Sequence, residues 1–343
     1  MRIGPRASSH SVDYYFPGIR IFVTAIPKNG SQSVLAFLTA LELSAEGNQG
    51  SFFVPLGEVF EYSARYKVSP EQEVQGGDGS ILTIALVREP CARISSCWID
   101  KFLGWSPGVT MLHGSALWFP RAVNDRIGLE RAFVTFLDAL AQDHELLHAD
   151  AHWTPQSDLL RPLEYDHQLE PDELTSLLPK IVETHLLKGP SHSRAELARD
   201  FVRSGLVVEH RNASPSLLRR ILEFEPEARL LIRGIYSDDY RLKSQWEPLG
   251  ASHGEGFLGD SGELNALILR DTEQMRLAHF KEVCELDVRL TRAREELAFA
   301  RVQATQHAAE RDNAFLIRDA ALQERDNALL VRDAALQGRD NAH

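Results

Sequence analysis

Two short apolar runs stand out along the chain, and each is followed at once by a polar segment. The first covers residues 21–26 and leads into the turn at residues 27–33, while the second covers residues 81–87 and ends at Arg88. Continuous apolar runs of this length are typical of strands that are buried on both faces of a parallel sheet. Apolar residues at helical spacing follow the first turn, namely Val34, Leu35, Leu38 and Leu41. The pattern predicts a P-loop-like, three-layer α/β domain with a largely parallel sheet.

The turn at residues 27–33, Pro-Lys-Asn-Gly-Ser-Gln-Ser, has the composition of an anion-binding loop. Gly30 allows the backbone to approach a ligand closely, and the free amides at the start of a helix favour negative charge, as does the ammonium of Lys28. The loop is not a Walker A motif, because its lysine precedes the glycine and the opening glycine of that motif is missing. We therefore expect a phosphate or sulfate ligand and disfavour a plain ATPase.

A second candidate anion site begins at Arg88, where the second predicted strand ends. Ligands of open α/β sheets bind at that edge. Pro90 suits the first turn of a helix, on which Arg93 and Ser96 would share one face. We expect Arg88 and Ser96 to hold one phosphate between them. Arg93 either joins them or holds the helix to the sheet through a carboxylate.

These two segments resemble motifs of the carbohydrate sulfotransferases, the family that includes the chondroitin and dermatan enzymes. The chain resembles a bacterial-type member of that family. That family uses 3'-phosphoadenosine 5'-phosphosulfate (PAPS) as the sulfate donor and releases 3'-phosphoadenosine 5'-phosphate (PAP). The resemblance implies that the 5'-phosphosulfate is held by the loop residues Lys28, Asn29, Gly30, Ser31, Gln32 and Ser33. It also implies a 3'-phosphate motif on Arg88, Pro90, Arg93, Ser96, Trp98, Lys101 and Phe102.

The resemblance extends over roughly residues 20–245 through two later segments. Residues 150–157, with residues 165–167 and Glu170 after them, are similar to a third motif of the family, and residues 235–240 resemble its closing helix. Related enzymes close a late polar loop over PAPS, which suggests that Arg211 contacts a phosphate. Helix capping by Ser214 is the alternative explanation of that loop.

The expected reaction needs a cation at the leaving oxygen and a base at the acceptor hydroxyl. Lys28 is the candidate cation, because a flexible point charge can follow the bridging oxygen as negative charge develops. His152 is the favoured base, since Asp150 can orient the imidazole and Trp153 can stack on a sugar ring. A histidine that only forms a hydrogen bond to the turn at residues 155–156 is an equal alternative.

Two carboxylates about thirty residues after the loop are the other candidate bases, because some sulfotransferases use a carboxylate from such a position; they are Glu58 and Glu61. The remaining histidines lack metal-ligand spacing, and the transfer of a singly charged sulfuryl group needs no metal. We therefore expect no metal cofactor.

Composition and charge restrict the class of partner and the compartment. A formal net charge of -12 argues against a nucleic-acid surface. The three cysteines, Cys91, Cys97 and Cys284, suggest no disulfide framework and favour a reducing compartment. Residues 1–20 contain no apolar core, so we expect neither a signal peptide nor a membrane anchor, and a cytoplasmic enzyme.

The pattern changes near residue 250. We assign residues 1–250 to the sulfotransferase domain, residues 251–262 to a glycine-rich linker and residues 263–343 to a helical tail. In the tail, apolar residues recur at alternating spacings of three and four, and a fourteen-residue repeat starts near residue 310. This pattern predicts a coiled coil that joins copies of the chain, with a single solvated helix as the alternative.

The sequence thus predicts transfer of a sulfuryl group from PAPS to a hydroxyl of a carbohydrate or glycoconjugate. Two hypotheses from other classes stay open at this point. One is a nucleotide-dependent phosphotransferase that uses the same loop, and the other is a non-catalytic module whose coiled coil acts as a scaffold.

Overall fold

A computed structural model describes the protein in nine ranges. They are residues 2–3, 10, 12–45, 62–75, 80–121, 123–188, 216–243, 245–246 and 261–340. Three residues to which the sequence assigned functions, Glu58, Glu61 and Arg211, lie outside these ranges.

A five-stranded sheet lies at the centre of the described structure. Its strands stand in the order β4-β2-β3-β6-β7, and a separate two-stranded sheet pairs β1 with β5. The strands are β1 (Arg2–Ile3), β2 (Asp13–Phe16), β3 (Ile21–Thr24), β4 (Lys67–Val68), β5 (Val74–Gln75), β6 (Leu82–Leu86) and β7 (His167–Leu169).

The sheet is mixed. Strands β3, β6 and β7 run parallel, whereas β2 pairs antiparallel with both β3 and β4. The two apolar runs of the sequence are the central strands β3 and β6. The α/β class is confirmed, and the parallel arrangement holds for the three strands whose carboxyl ends carry the predicted motifs.

The helices follow the strands in an α/β order. They are α1 (Ser31–Ala45), α2 (Pro90–Trp98), α3 (Pro107–His113), α4 (Arg126–Gln142), α5 (His144–Leu147), α6 (Gln156–Leu159), α7 (Pro171–Lys188), α8 (Ser216–Phe224), α9 (Pro226–Ile235) and α10 (Ser261–Asp340). A π-helix at Ile99–Leu103 continues α2, and 3₁₀ turns occupy Ala64–Tyr66 and Asp239–Arg241.

Alternate residues of the central strands face opposite sides of the sheet. In β3, Ile21 and Val23 pack with α1 and α7, where Leu38 and Leu178 are fully buried. Phe22 points to the other face and packs in a second cluster. Each such side chain contributes about 1.5–3 kcal/mol on burial, so the sheet is a rigid base for the loops at its edge.

A separate apolar cluster holds the helices that follow β6. Trp98, Phe102, Phe133 and Phe136 are fully buried there and join α2, the π-helix and α4. The rings of Phe102 and Phe136 pack at a tilt of 44°, with 4.6 Å between their centroids. This packing fixes the π-helix relative to the end of β6.

A buried ion pair anchors β2, which pairs with β3, the strand that leads into the turn at residues 27–33. Arg161 Nε lies 2.8 Å from Asp13 Oδ2, and both side chains are completely buried. Asp13 also accepts a hydrogen bond from Thr24 at the carboxyl end of β3, at 2.7 Å. The hydroxyls of Thr24 and Tyr165 are 2.7 Å apart and extend the network. The network ties β2, β3 and the segment after α6 together.

The long helix α10 confirms the helical tail of the sequence. Contacts divide the chain into one compact unit, Met1–His279, and a second unit, Phe280–His343. Three apolar residues of the three-and-four pattern lie in the second unit and form the seam of the predicted coiled coil. Their side chains are partly exposed: Val283 (38%), Leu290 (49%) and Leu297 (55%). The helix starts at Ser261, within the segment assigned as the linker. The three-layer description, the domain division and the coiled coil stay predictions.

None of the helices within the described ranges is both long and apolar enough to cross a membrane.

Candidate active site

The turn between β3 and α1 adopts a conformation that only a few residue types accept easily. Lys28 has a φ of 70° and Gly30 a φ of 79°, so both lie in the left-handed region. A Cβ at Gly30 would collide with Leu174 Cδ1 from α7. Glycine is therefore required at position 30 both by the backbone angle and by the available space. The turn leads directly into the amino end of α1, whose first amides favour an anion.

One side-chain amide connects this turn to the ends of the neighbouring segments. Gln156 Oε1 accepts hydrogen bonds from Asn29 Nδ2 at 2.7 Å and from the Arg88 amide at 3.0 Å. Gln156 Nε2 donates to the Arg88 carbonyl oxygen at 2.8 Å. Asn29 Nδ2 also donates to the Leu86 carbonyl oxygen at 2.8 Å. The first three motifs of the sequence therefore meet at one buried point.

The late segment that follows α9 reaches the same point through Asp239. This buried carboxylate accepts hydrogen bonds from the backbone amides of Gln156 at 2.9 Å and Ser157 at 2.8 Å. It thus satisfies free amides at the start of α6, where Pro155 offers no capping side chain. Burial raises the pKa of Asp239, although the charge of Arg93 and these hydrogen bonds oppose the increase.

Arg93 holds the elements of the site together through main-chain oxygens. Its guanidinium is buried and donates to the carbonyls of Pro27 at 3.4 Å, Thr154 at 3.0 Å and Ala151 at 2.8 Å. Of the two roles considered for Arg93, this geometry fits the structural one. Its partners are carbonyl oxygens, however, where the sequence suggested a carboxylate.

Arg88 lies beside the turn and beside a second arginine. Its Nη1 donates to the Lys28 carbonyl oxygen at 2.9 Å. Burial lowers the pKa of Arg88, the nearby charge of Arg219 lowers it further, and neighbouring carboxylates such as Glu223 oppose both effects. Glu223 already supplies an anion at this position, because its Oε1 lies 3.1 Å from Arg219 Nε. Burial raises the pKa of Glu223, and the charges of Arg219 and Arg88 oppose this effect. Ser96 is buried on α2.

Lys28 carries its ammonium to the π-helix. Its Nζ forms an ion pair with Asp100 Oδ2, and Lys101 Nζ approaches the same oxygen at 3.3 Å. Burial disfavours the charged form of Asp100, but the contact with the His279 imidazole and the charges of Lys28 and Lys101 outweigh the effect of burial. The pKa of Asp100 is therefore held far below its usual range, and the carboxylate remains ionised beside Lys28.

His152 is oriented by the carboxylate that the sequence suggested. Its Nδ1 lies 2.6 Å from Asp150 Oδ1, which also accepts the His152 amide at 2.8 Å. Donation from Nδ1 leaves Nε2 as the basic nitrogen. Burial lowers the pKa of His152, Asp150 opposes this effect, and the charges of Lys101 and Lys28 lower the pKa further.

The sequence model of sulfotransferase family 2 matches residues 15–242 of this chain. The chain belongs to this sulfotransferase family. The match contains every segment that Gln156 and Asp239 bring together, and it ends before α10. Searches of curated proteins and of solved structures found no significant match to the chain. Family membership supports sulfuryl transfer as the general activity.

The sulfotransferase differs from the sequence-based expectation at Trp153. The side chain is only 1% exposed, and its Nε1 donates to the Leu146 carbonyl oxygen at 2.7 Å. Its ring packs against Phe102 and Phe136 in the helical core. The expectation that Trp153 stacks on a sugar ring is wrong, because the residues around it form a closed aromatic core.

Sequence reasoning missed three residues of the sulfotransferase site, Asp100, Arg219 and His279. Asp100 stands directly before Lys101 of the second motif, so the motif itself was the available signal. Arg219 belongs to an Arg-Arg pair on an amphipathic helix, which is a weak signal. His279 carries no local signal. Its role follows only from the fold.

Proposed function

We propose that this sulfotransferase moves a sulfuryl group from PAPS to a hydroxyl of a carbohydrate or glycoconjugate. The observation that supports the proposal most is the left-handed turn at Gly30, where the Arg88 guanidinium donates to the Lys28 carbonyl oxygen. His152, oriented by Asp150, adds a base. Two cations and one oriented base suit a donor with two anionic groups and a hydroxyl acceptor.

The donor site of the proposal combines the turn with the arginine pair. The 5'-phosphosulfate would lie on the turn, beside the free amides at the amino end of α1. Its ligands would be Lys28, Asn29, Gly30, Ser31, Gln32 and Ser33. The 3'-phosphate would be held by Arg88 and Ser96, and we add Arg219, whose charge already acts on Arg88. Arg211 stays a further proposed contact from the late loop.

The proposed transfer breaks one bond and forms one. The sulfur–oxygen bond to the 5'-phosphate breaks, and its electron pair stays on the phosphate oxygen, where Lys28 stabilises the added negative charge. A new sulfur–oxygen bond forms to the acceptor oxygen, and the acceptor proton passes to His152 Nε2. Positioning and electrostatic stabilisation supply most of the rate in this class of reaction, so no metal enters the proposal.

A cytoplasmic location is also part of the proposal. It is supported by the free thiols of Cys91, Cys97 and Cys284.

We also propose that α10 joins copies of the sulfotransferase through the seam of Val283, Leu290 and Leu297. Its support is the three-and-four spacing of apolar side chains that are partly exposed in a single chain. Light scattering at micromolar concentration should give a mass of at least two chains. A mass of one chain would contradict the proposal.

Replacing the proposed catalytic cation should abolish turnover while leaving donor recognition mostly intact. Lys28→Met should lower kcat by about 100- to 1,000-fold, because one stabilising charge at the leaving oxygen is lost. Transfer of radiolabelled sulfate from PAPS to a mixed glycan acceptor pool measures this change, and PAP titration measures binding. Lys67→Met on the edge strand is the control, since Lys67 is exposed. Equal turnover in Lys28→Met and Lys67→Met would contradict the catalytic role.

The proposed base predicts the acidic limb of the pH profile. His152 must be neutral to accept a proton, so kcat should fall as pH decreases through its pKa, which burial places below the ordinary value of about 6.5. The Asp150 carboxylate favours the imidazolium, so Asp150→Asn should lower the His152 pKa and move the limb to lower pH. It should also reduce the plateau, because the imidazole loses its orientation.

The control for this profile is a second histidine–carboxylate pair. His148 Nε2 lies 3.0 Å from the exposed Asp158, so Asp158→Asn should leave the limb in place. A limb that stays fixed or moves to higher pH in Asp150→Asn would rule out His152 as the base.

A further inference from the structure

We propose that His279, which lies beyond the residues matched by the family model, is a positioning residue that sets the place of Lys28 through Asp100. The inference rests on the proposed function for its effect on catalysis. Its structural part concerns only how the Lys28 ammonium is held.

The position of the Lys28 ammonium depends on Asp100. A lysine side chain has four rotatable bonds, and a charge that must meet a developing oxyanion gains from being held in advance. The Lys28 side chain is 15% exposed and its Nζ pairs with Asp100 Oδ2. The position of this ammonium is therefore set by the position of the Asp100 carboxylate.

The Asp100 carboxylate is contacted from two sides. Its Oδ2 faces Lys28 and, at 3.3 Å, Lys101, which both come from the matched domain. Its Oδ1 faces His279 Nε2 at 3.7 Å. This contact with the His279 imidazole contributes to the low pKa of Asp100. Without His279, the carboxylate would keep cations at one oxygen only and could rotate about its side-chain bonds.

The His279 imidazole is itself fixed by a contact with the main chain. Its Nδ1 lies 2.7 Å from the Gly104 carbonyl oxygen and donates to it, which directs Nε2 towards Asp100. Both partners are acceptors, so His279 makes both contacts as the imidazolium, which carries a proton on each ring nitrogen. A Cβ at Gly104 would come within 3.0 Å of His279 Cε1 and 2.9 Å of the Asp100 carbonyl oxygen. A glycine at position 104 thus permits the close approach of helix α10 to the end of the π-helix.

A second residue of α10 supports the same contact one turn earlier. Arg276 lies 3.8 Å from the centroid of the Trp105 ring, and its Nε donates to the Leu103 carbonyl oxygen at 3.2 Å. The main-chain or side-chain atoms of three consecutive residues, 103–105, therefore contact α10. The first turns of α10 belong to the same compact unit, which runs to His279. Residues 261–279 therefore belong to the compact unit that carries the candidate site, and they contact the end of the π-helix.

Two substitutions separate the orienting contact from the contact with Asp100. The amide of Asn can replace Nδ1 as the donor to Gly104, so His279→Asn keeps that hydrogen bond but removes the group that faces Asp100. The longer Gln can place its amide nitrogen where Nε2 lies, so His279→Gln restores the donor to Asp100. His307→Asn is the matched control, because His307 lies on the same helix in an exposed pair with Glu310.

We expect His279→Asn to lower kcat by about 10- to 100-fold, the effect of a misplaced catalytic group. The KM for PAPS and the affinity for PAP should change less than about twofold, and His279→Gln should recover most of the rate. Equal kcat in His279→Asn, His279→Gln and His307→Asn would overturn the inference. So would a fall in kcat that only parallels a fall in donor affinity.

A second readout does not depend on catalysis. Brief acylation with acetic anhydride, followed by mass spectrometry, measures the reactivity of the Lys28 amine relative to other lysines. His279→Asn should increase Lys28 acylation several-fold, because an ammonium that is held less tightly in an ion pair reacts faster. Unchanged Lys28 labelling would overturn the inference even if the enzyme transfers sulfate. Changed labelling in a protein that neither binds PAP nor transfers sulfate would support the positioning role and remove the proposed function instead.

Discussion

The buried amide of Gln156 is the interaction on which the rest of the site depends. It contacts Asn29 in the anion-binding turn and both backbone groups of Arg88. Its own backbone amide is held by Asp239. Leaving such buried groups without partners costs about 1–3 kcal/mol each. The hydrogen bonds of Gln156 therefore hold together four segments that are far apart in sequence. The turn at residues 27–33 is held in one arrangement in this way.

The site concentrates positive charge in a chain whose formal net charge is -12. Arg88 and Arg219 act on one another, and Lys28 and Lys101 share the carboxylate of Asp100. Desolvation makes such a concentration costly. Glu223, which lies 3.1 Å from Arg219, offsets part of the repulsion between the arginines. Asp100 leaves the lysine pair with a local counter-charge and a defined geometry.

The sequence predicted those parts of the site that lie within continuous motifs. The strand, turn and helix around Gly30 follow from apolar periodicity and turn chemistry, and Arg88 follows from its place at a strand end. The same reasoning missed β2 and its antiparallel pairing, which rest on contacts between distant segments. It assigned Trp153 to stacking on a sugar ring, because motif position does not reveal the aromatic core that encloses it. His279 lies 179 residues from Asp100 in sequence, a separation that no local pattern bridges.

Isothermal titration of the whole chain with PAP, beside ATP and AMP, tests the central claim most directly. We predict that PAP binds with a Kd of about 1 μM. The affinities for ATP and AMP should be at least about tenfold weaker, because these nucleotides lack the 3'-phosphate. Arg88→Ala should lose this preference, whereas Arg131→Ala, at an exposed position on α4, should keep it. Absence of PAP binding, or equal binding of ATP and PAP, would contradict a PAPS-dependent sulfotransferase site at this turn.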